Sequence, residues 1–177
     1  IWDVTSGNDV DRVQSRSAAS MSVERSITKC LRKDLPGITS PETPLVFINR
    51  NGADIYVYPG FFVMFESPSR MGILDILGLE VDYEATRFIE TDTTPPDSKR
   101  VEEVWEKSNK DGSRDKRFAE NRQFPVMEYG EITFKSASGI YEKYMFSDAS
   151  TSEAFLTLCR HLRVSDLSLD IFTPINR

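Results

Sequence analysis

The side chains with the richest chemistry are scarce in this chain. There is one histidine, His161, and there are two cysteines, Cys30 and Cys159. His161 follows Cys159 by two positions in a segment with helical spacing, so the two side chains point roughly 200° apart. A Cys/His nucleophile pair between them is excluded on geometry, and neither cysteine has the spacing of a metal site or of a disulfide framework. A zinc site would have to draw most of its ligands from carboxylates, against the usual ligand preference. The sequence contains no G-x-x-x-x-G-K-[ST], no G-x-G-x-x-G and no G-x-S-x-G, which removes P-loop nucleotide hydrolysis and α/β-hydrolase chemistry. No catalytic residue, cofactor or metal is therefore expected.

Two charged stretches remain. Residues 71–97 hold Asp75, Glu80, Asp82, Glu84, Glu90, Asp92 and Asp97 against Arg87 alone. Asp82, Glu84 and Glu90 are the set from which a Mg²⁺ site for phosphodiester chemistry would be assembled. The simpler reading is the solvated face of a strand pair, because acidic residues alternate there with apolar ones. Residues 107–122 are the opposite: Lys107, Lys110, Arg114, Lys116, Arg117 and Arg122 against Asp111, Asp115 and Glu120. Arg114, Lys116, Arg117, Asn121 and Arg122 form a candidate anion site, since guanidinium groups present paired donors to phosphate or carboxylate. Asp111 and Asp115 are equally placed to pair with those arginines and staple the loop to itself, which is the favoured reading because a ligand groove usually keeps its cations unpaired. A third arrangement docks the basic loop on the acidic face, within the domain or across a dimer.

The elements that must hold these residues follow from periodicity. Residues 1–16 are polar without a sustained period and read as a linker or arm. Val23, Ile27, Cys30 and Leu31 fall on one face of an expected N-terminal helix that Pro36-Gly37 stops. In "PLVFINRNGADIYVYPGFFVMFESP", Asn51-Gly52 predicts a primed hairpin turn and Pro59-Gly60 a type II turn, giving a three-strand meander. Its third strand is apolar on both faces and reads as covered. "LEVDYE" alternates as a half-buried strand, with "TRFIET" expected to pair back on it across a short turn. "KRVEEVWEK" fits both helical and strand spacing and is assigned to strand. "PVMEYGEITFK" and "GIYEKYMFS" form a hairpin. A C-terminal helix starts near Ser150, with Ala154, Leu158 and Leu162 on one face and Phe155 and Cys159 beside it.

This pattern predicts an α+β domain over 17–165, with a tail over 166–177. Its architecture would be an antiparallel PH-like small barrel or split barrel of about seven strands, with an N-terminal helix and a C-terminal capping helix. At 177 residues and 39% hydrophobic content, the chain is long enough for one core. The net charge of −6 disfavours nucleic acid as a partner, because duplex binding carries a basic footprint. The longest apolar run, Phe61 to Phe65, is far short of a membrane span. Two cysteines without a framework fit a reducing cytoplasm.

One stretch carries a resemblance. Trp105, Asn109 to Gly112, Asp115, Arg117, Phe118, Asn121, Gln123, Pro125, Tyr129 to Glu131, and Ser136, Ser138 and Gly139 stand in the order W, N-K-D-G-x-x-D-x-R-F-x-x-N-x-Q-x-P, Y-G-E, S-x-S-G. This resembles a segment of an uncharacterised bacterial domain family. The likeness spans about residues 45–162. It implies a bacterial, cytoplasmic origin and a linked module, without implying a reaction. The expected function is a non-enzymatic binding or regulatory module of a larger protein, contacting an anionic ligand or a protein partner, itself included, through the basic loop. A metal-dependent phosphodiesterase or nuclease and a structural oligomerisation domain are the alternatives.

Overall fold

The computed structural model describes residues 1–9 and 21–169. Two antiparallel sheets and one C-terminal helix, α1 (Ala149–Leu169), make up the described fold. The first sheet has six strands, drawn about equally from the two halves of the chain. Its centre is β10 (Gln123–Ser136), long enough at 14 residues to serve several partners. One edge of β10 pairs with β8 (Leu79–Ile89) over the whole run from Leu79↔Ser136 to Ile89↔Val126. The other edge is shared end to end, by β11 (Tyr141–Phe146) against residues 130–135 and by β9 (Lys99–Trp105) against residues 123–128. Beyond β11 come β1 (Trp2–Asp9) and then β2 (Met21–Ile27). The second sheet is a meander in chain order: β3 (Cys30–Arg32), β4 (Leu45–Phe47), β5 (Asp54–Tyr58), β6 (Phe61–Ser67) and β7 (Arg70–Asp75).

The two sheets and the helix enclose one main core. Phe47 of β4 is its hub, with its ring centroid 5.0 to 5.1 Å from those of Phe134, Tyr144 and Phe155. Apolar residues of both sheets reach this core, among them Phe62, Leu79, Val81, Ile132 and Phe146. The helix contributes Phe155, Leu156 and Cys159. It comes closest to β10 at Gly130, where Ser152 Oγ donates to the Gly130 carbonyl at 3.2 Å. A Cβ at Gly130 would fall on the Ser152 side chain, so only glycine permits this approach. Arg163, a few turns on, donates to the Leu79 carbonyl.

Several expectations are corrected. Of the predicted N-terminal helix, residues 21–32 are two strands and residues 17–20 lie outside the described residues. The apolar spacing there is compatible with a helix, but "SVERSIT" is rich in β-branched and hydroxyl side chains and finds a partner strand in β1, so tertiary pairing overrides the period. The predicted arm contributes β1, which pairs with both β2 and β11, while residues 10–16 lie outside the described residues. The chain has eleven described strands where about seven were expected. "LEVDYE" and "TRFIET" form one uninterrupted strand, because β10 offers a partner along its whole length. Between β4 and β5, Gly52 is not left-handed and no primed turn forms. Side chains shape that loop instead: Asn49 Oδ1 accepts from the Asn51 amide at 2.7 Å and Asp54 Oδ1 from the Asn49 amide at 2.9 Å.

Other expectations hold. Gly60 adopts φ 88° in the Pro59-Gly60 turn, β6 is an interior strand, and "KRVEEVW" is a strand. The buried helix face is rotated from the expected one: Ser152, Phe155, Leu156 and Cys159 turn inward, while Ala154 and Leu158 are exposed. The helix also runs past the expected boundary at 165. Residues 170–177 of the expected tail lie outside the described residues.

Candidate functional site: the 106–122 loop and the Arg25 cage

The basic stretch closes the hairpin between β9 and β10, and its shape is set from inside. The Glu106 amide donates to the Arg122 carbonyl at 2.8 Å, extending the hairpin by one rung. Asn121 then ties the two sides together: its Oδ1 accepts from the Lys107 amide at 2.9 Å, and its Nδ2 donates to the Lys107 carbonyl at 2.7 Å. The tip is a turn over Asn109 to Ser113, with Gly112 at φ 82° as the tight geometry requires. Asp111 Oδ1 accepts from both the amide and the hydroxyl of Ser113, and these bonds hold the Asp111 carboxyl below its ordinary pKa.

Asp115 is the pivot of the loop. It is buried, and Arg117 grips it through its amide at 3.0 Å, its Nε at 2.9 and 3.1 Å and its Nη2 at 2.5 Å. Arg114 lies over the Trp105 ring at 5.5 Å and donates to the Ala119 carbonyl at 3.1 Å. Arg122 lies over the Phe124 ring at 5.5 Å, with its Nε 3.6 Å from Glu106 Oε2. The five candidate anion residues thus have different roles. Asn121 bridges backbone, Arg117 is committed to Asp115, and Arg114, Lys116 and Arg122 stay exposed on a held framework.

The acidic stretch is dispersed. Asp82 pairs with Lys135 at 2.8 Å across the sheet, and Glu90 turns into a buried cluster. Asp82, Glu84 and Glu90 are not brought together, and among the described residues no group of three or more His, Cys, Asp or Glu side chains is placed to hold a metal ion. Cys159 is buried and Cys30 half-buried, and desolvation pushes the Cys30 thiol up to about 12 and the Cys159 thiol to about 11, so both are protonated at neutral pH. His161 sits on the exposed side of α1 with Nδ1 2.7 Å from the Thr157 carbonyl.

A second feature was not visible in the sequence. On the face of the first sheet away from the main core, Arg25 of β2 is surrounded by aromatic rings, its Cζ 4.2 Å from the centroid of Trp2, 4.1 Å from that of Phe88 and 5.6 Å from that of Tyr129. Its Nη2 donates to Glu90 Oε2 at 2.6 Å, and the same oxygen accepts from Tyr129 Oη at 2.7 Å. Glu90 Oε1 takes the Asp92 amide at 3.2 Å. Burial alone would raise the Glu90 carboxyl, but the Arg25 and Tyr129 hydrogen bonds and the Arg25 charge outweigh it and hold the group below its usual range. Tyr129 is pushed upward, first by burial and then by the adjacent carboxylate. An open cleft of about 1260 Å³ runs beside this cage, between β2 and residues 91–95. Arg25 and Glu90 are 65 positions apart, and nothing local in the sequence links them.

Comparison with protein-family models, with curated proteins and with solved structures finds no match. No helix among the described residues is long and apolar enough to cross a membrane.

Proposed function

We propose that this chain is a non-enzymatic binding or regulatory module of a larger bacterial, cytoplasmic protein, and that it engages an acidic protein partner through the 106–122 loop. We read the scaffold as a PH-like barrel, a reading supported by a meander, a 3₁₀ corner at Ile76–Gly78, a second antiparallel sheet and a helix packed on both. The observation that carries it is the division of labour in the loop. Asp115, Arg117 and Asn121 fix the backbone, while Arg114 and Arg122 present guanidinium groups backed by the rings of Trp105 and Phe124. Arginine and aromatic side chains in a held arrangement are the residues that dominate protein interfaces, and a loop already ordered loses little entropy on binding. A small-anion clamp finds less support, because Arg117 already spends its fork on a carboxylate of its own loop.

The test uses immobilised polyglutamate, with inorganic phosphate and phosphatidylserine vesicles as competing probes. Low-salt retention on polyglutamate that falls at least about tenfold in R114E/R122E, with neither phosphate nor vesicles competing, is the expected result. Equal retention of the two proteins refutes the reading, and displacement by phosphate replaces it with the small-anion site.

A further inference from the structure

We propose that the outer edge of β9 is a self-recognition surface, on which two copies of this chain pair antiparallel about a two-fold axis between Val101 and Glu102. Among the described residues, β9 is hydrogen-bonded to β10 along one edge only, which leaves the amides and carbonyls of its other edge facing outward. Its charges are ordered along the strand: Lys99 and Arg100, then Val101, then Glu102 and Glu103.

The register against β10 adds a second ordering. Glu102 lies opposite Val126 and Arg100 opposite Met127, so Val101 is an extra, bulged residue and the alternation of faces changes phase there. Arg100 and Glu103 therefore share one face, and their side chains meet at 3.0 Å. Lys99 and Glu102 share the other, where they reach Glu128 and Arg87, residues that are themselves paired across the β8–β10 ladder. Each face of the edge strand carries one cation followed by one carboxylate.

Charge on an edge strand ordinarily discourages pairing. Here the order makes that discouragement selective. In an antiparallel arrangement about that axis Arg100 of one copy meets Glu103 of the other, a contact that occurs twice, while Lys99 faces Val104 and Val101 faces Glu102. A parallel arrangement sets like charges against like, and the net charge of −6 opposes unmatched association. The intrachain pairs given up are exposed and weak, so their exchange for interchain pairs costs little. The same alignment carries the 106–122 loop of each copy alongside residues 91–98 of the other, because antiparallel strands run the end of one past the start of its mate. Residues 91–98 contain the exposed Asp92 and Asp97 and no lysine or arginine. The proposal thus rests on the loop reading above and names its acidic partner as a second copy.

Sedimentation equilibrium of the 177-residue chain tests it. A dimer is expected at low salt, with a dissociation constant that rises as salt is added. R100E and E103R should each weaken the dimer by about tenfold or more, and the double swap R100E/E103R should restore it to within about threefold, because reversing both signs preserves the complementarity. A chain that stays monomeric at every concentration, single reversals without effect, or a double swap that fails to restore association overturns the proposal. The polyglutamate assay separates the two readings. A monomeric chain that still binds polyglutamate through Arg114 and Arg122 sinks this proposal and leaves the loop reading standing.

Discussion

Removing the Glu90 carboxylate tests the most concentrated set of interactions outside the main core. The Glu90 side chain is 1% exposed and that of Arg25 is 11% exposed, so Glu90→Ala leaves a guanidinium shut between Trp2 and Phe88 without its counter-charge. The substitution also strips a partner from Tyr129 Oη and from the Asp92 amide. Breaking a buried pair on one side costs about 3–5 kcal/mol, and urea unfolding followed by circular dichroism should show a loss of that size. Tyr129→Phe removes a single hydrogen bond to the charged group and should cost about 1.5–3 kcal/mol. The pH dependence follows from the direction of the Glu90 shift. A carboxyl whose folded value lies below its unfolded one, about 4.3 for glutamate, contributes stability that is present above that value and is lost as pH falls through the folded value. The wild-type chain should therefore lose more stability than Glu90→Gln as pH drops from about 5 toward the folded value. If both proteins lose stability in parallel over that range, the carboxylate is not held by Arg25 and Tyr129 as described. A cost below about 1 kcal/mol for Glu90→Ala would contradict the burial of the pair.

Two further substitutions test the framework. Gly130→Ala places a methyl group on the Ser152 side chain and close to the Ala149 backbone, and overpacking of this kind should lower stability by about 1–3 kcal/mol in the same urea assay. Asp115→Ala removes the acceptor for the Arg117 amide and guanidinium, so hydrogen exchange should accelerate at the amides of 107–121 while the strand amides of β10 from Gly130 to Lys135 keep their protection.

What could be read in the sequence was whatever local chemistry decides. The Pro59-Gly60 turn, the hairpin between β10 and β11 and the start of α1 each depend on residues within a few positions of one another. The same is true of the loop's internal staple, since Asp115 and Arg117 are two residues apart. The Arg25 cage had no such signature: Trp2, Arg25, Phe88 and Tyr129 come from four strands, and only the sheet order β2-β1-β11-β10-β8 brings them into register. The expected helix over residues 21–32 fails for the same reason, because its competitor was a distant strand.

The ambiguity of "KRVEEVW" has a physical origin of its own. In a regular strand Val101, Glu103 and Trp105 would share a face, whereas Val101, Val104 and Trp105 fit a helix, and neither spacing fits the whole segment. With Val101 bulged, the phase shifts in mid-strand: Trp105 and Glu103 stay on one face, opposite Gln123 and Pro125, and are joined there by Arg100, opposite Met127. A two-residue period cannot survive an inserted residue, so the sequence reads as neither element cleanly. The feature that blurred the assignment is also what sorts Lys99 with Glu102 and Arg100 with Glu103. Without the bulge, Arg100 would share a face with Glu102, and the two faces would pair differently across a two-fold axis. Deleting Val101 therefore bears on pairing specificity as well as on strand geometry. It should restore regular alternation on β9, re-sort its charges between the faces and shift the salt dependence of self-association, and an unchanged salt dependence would separate the bulge from the recognition surface.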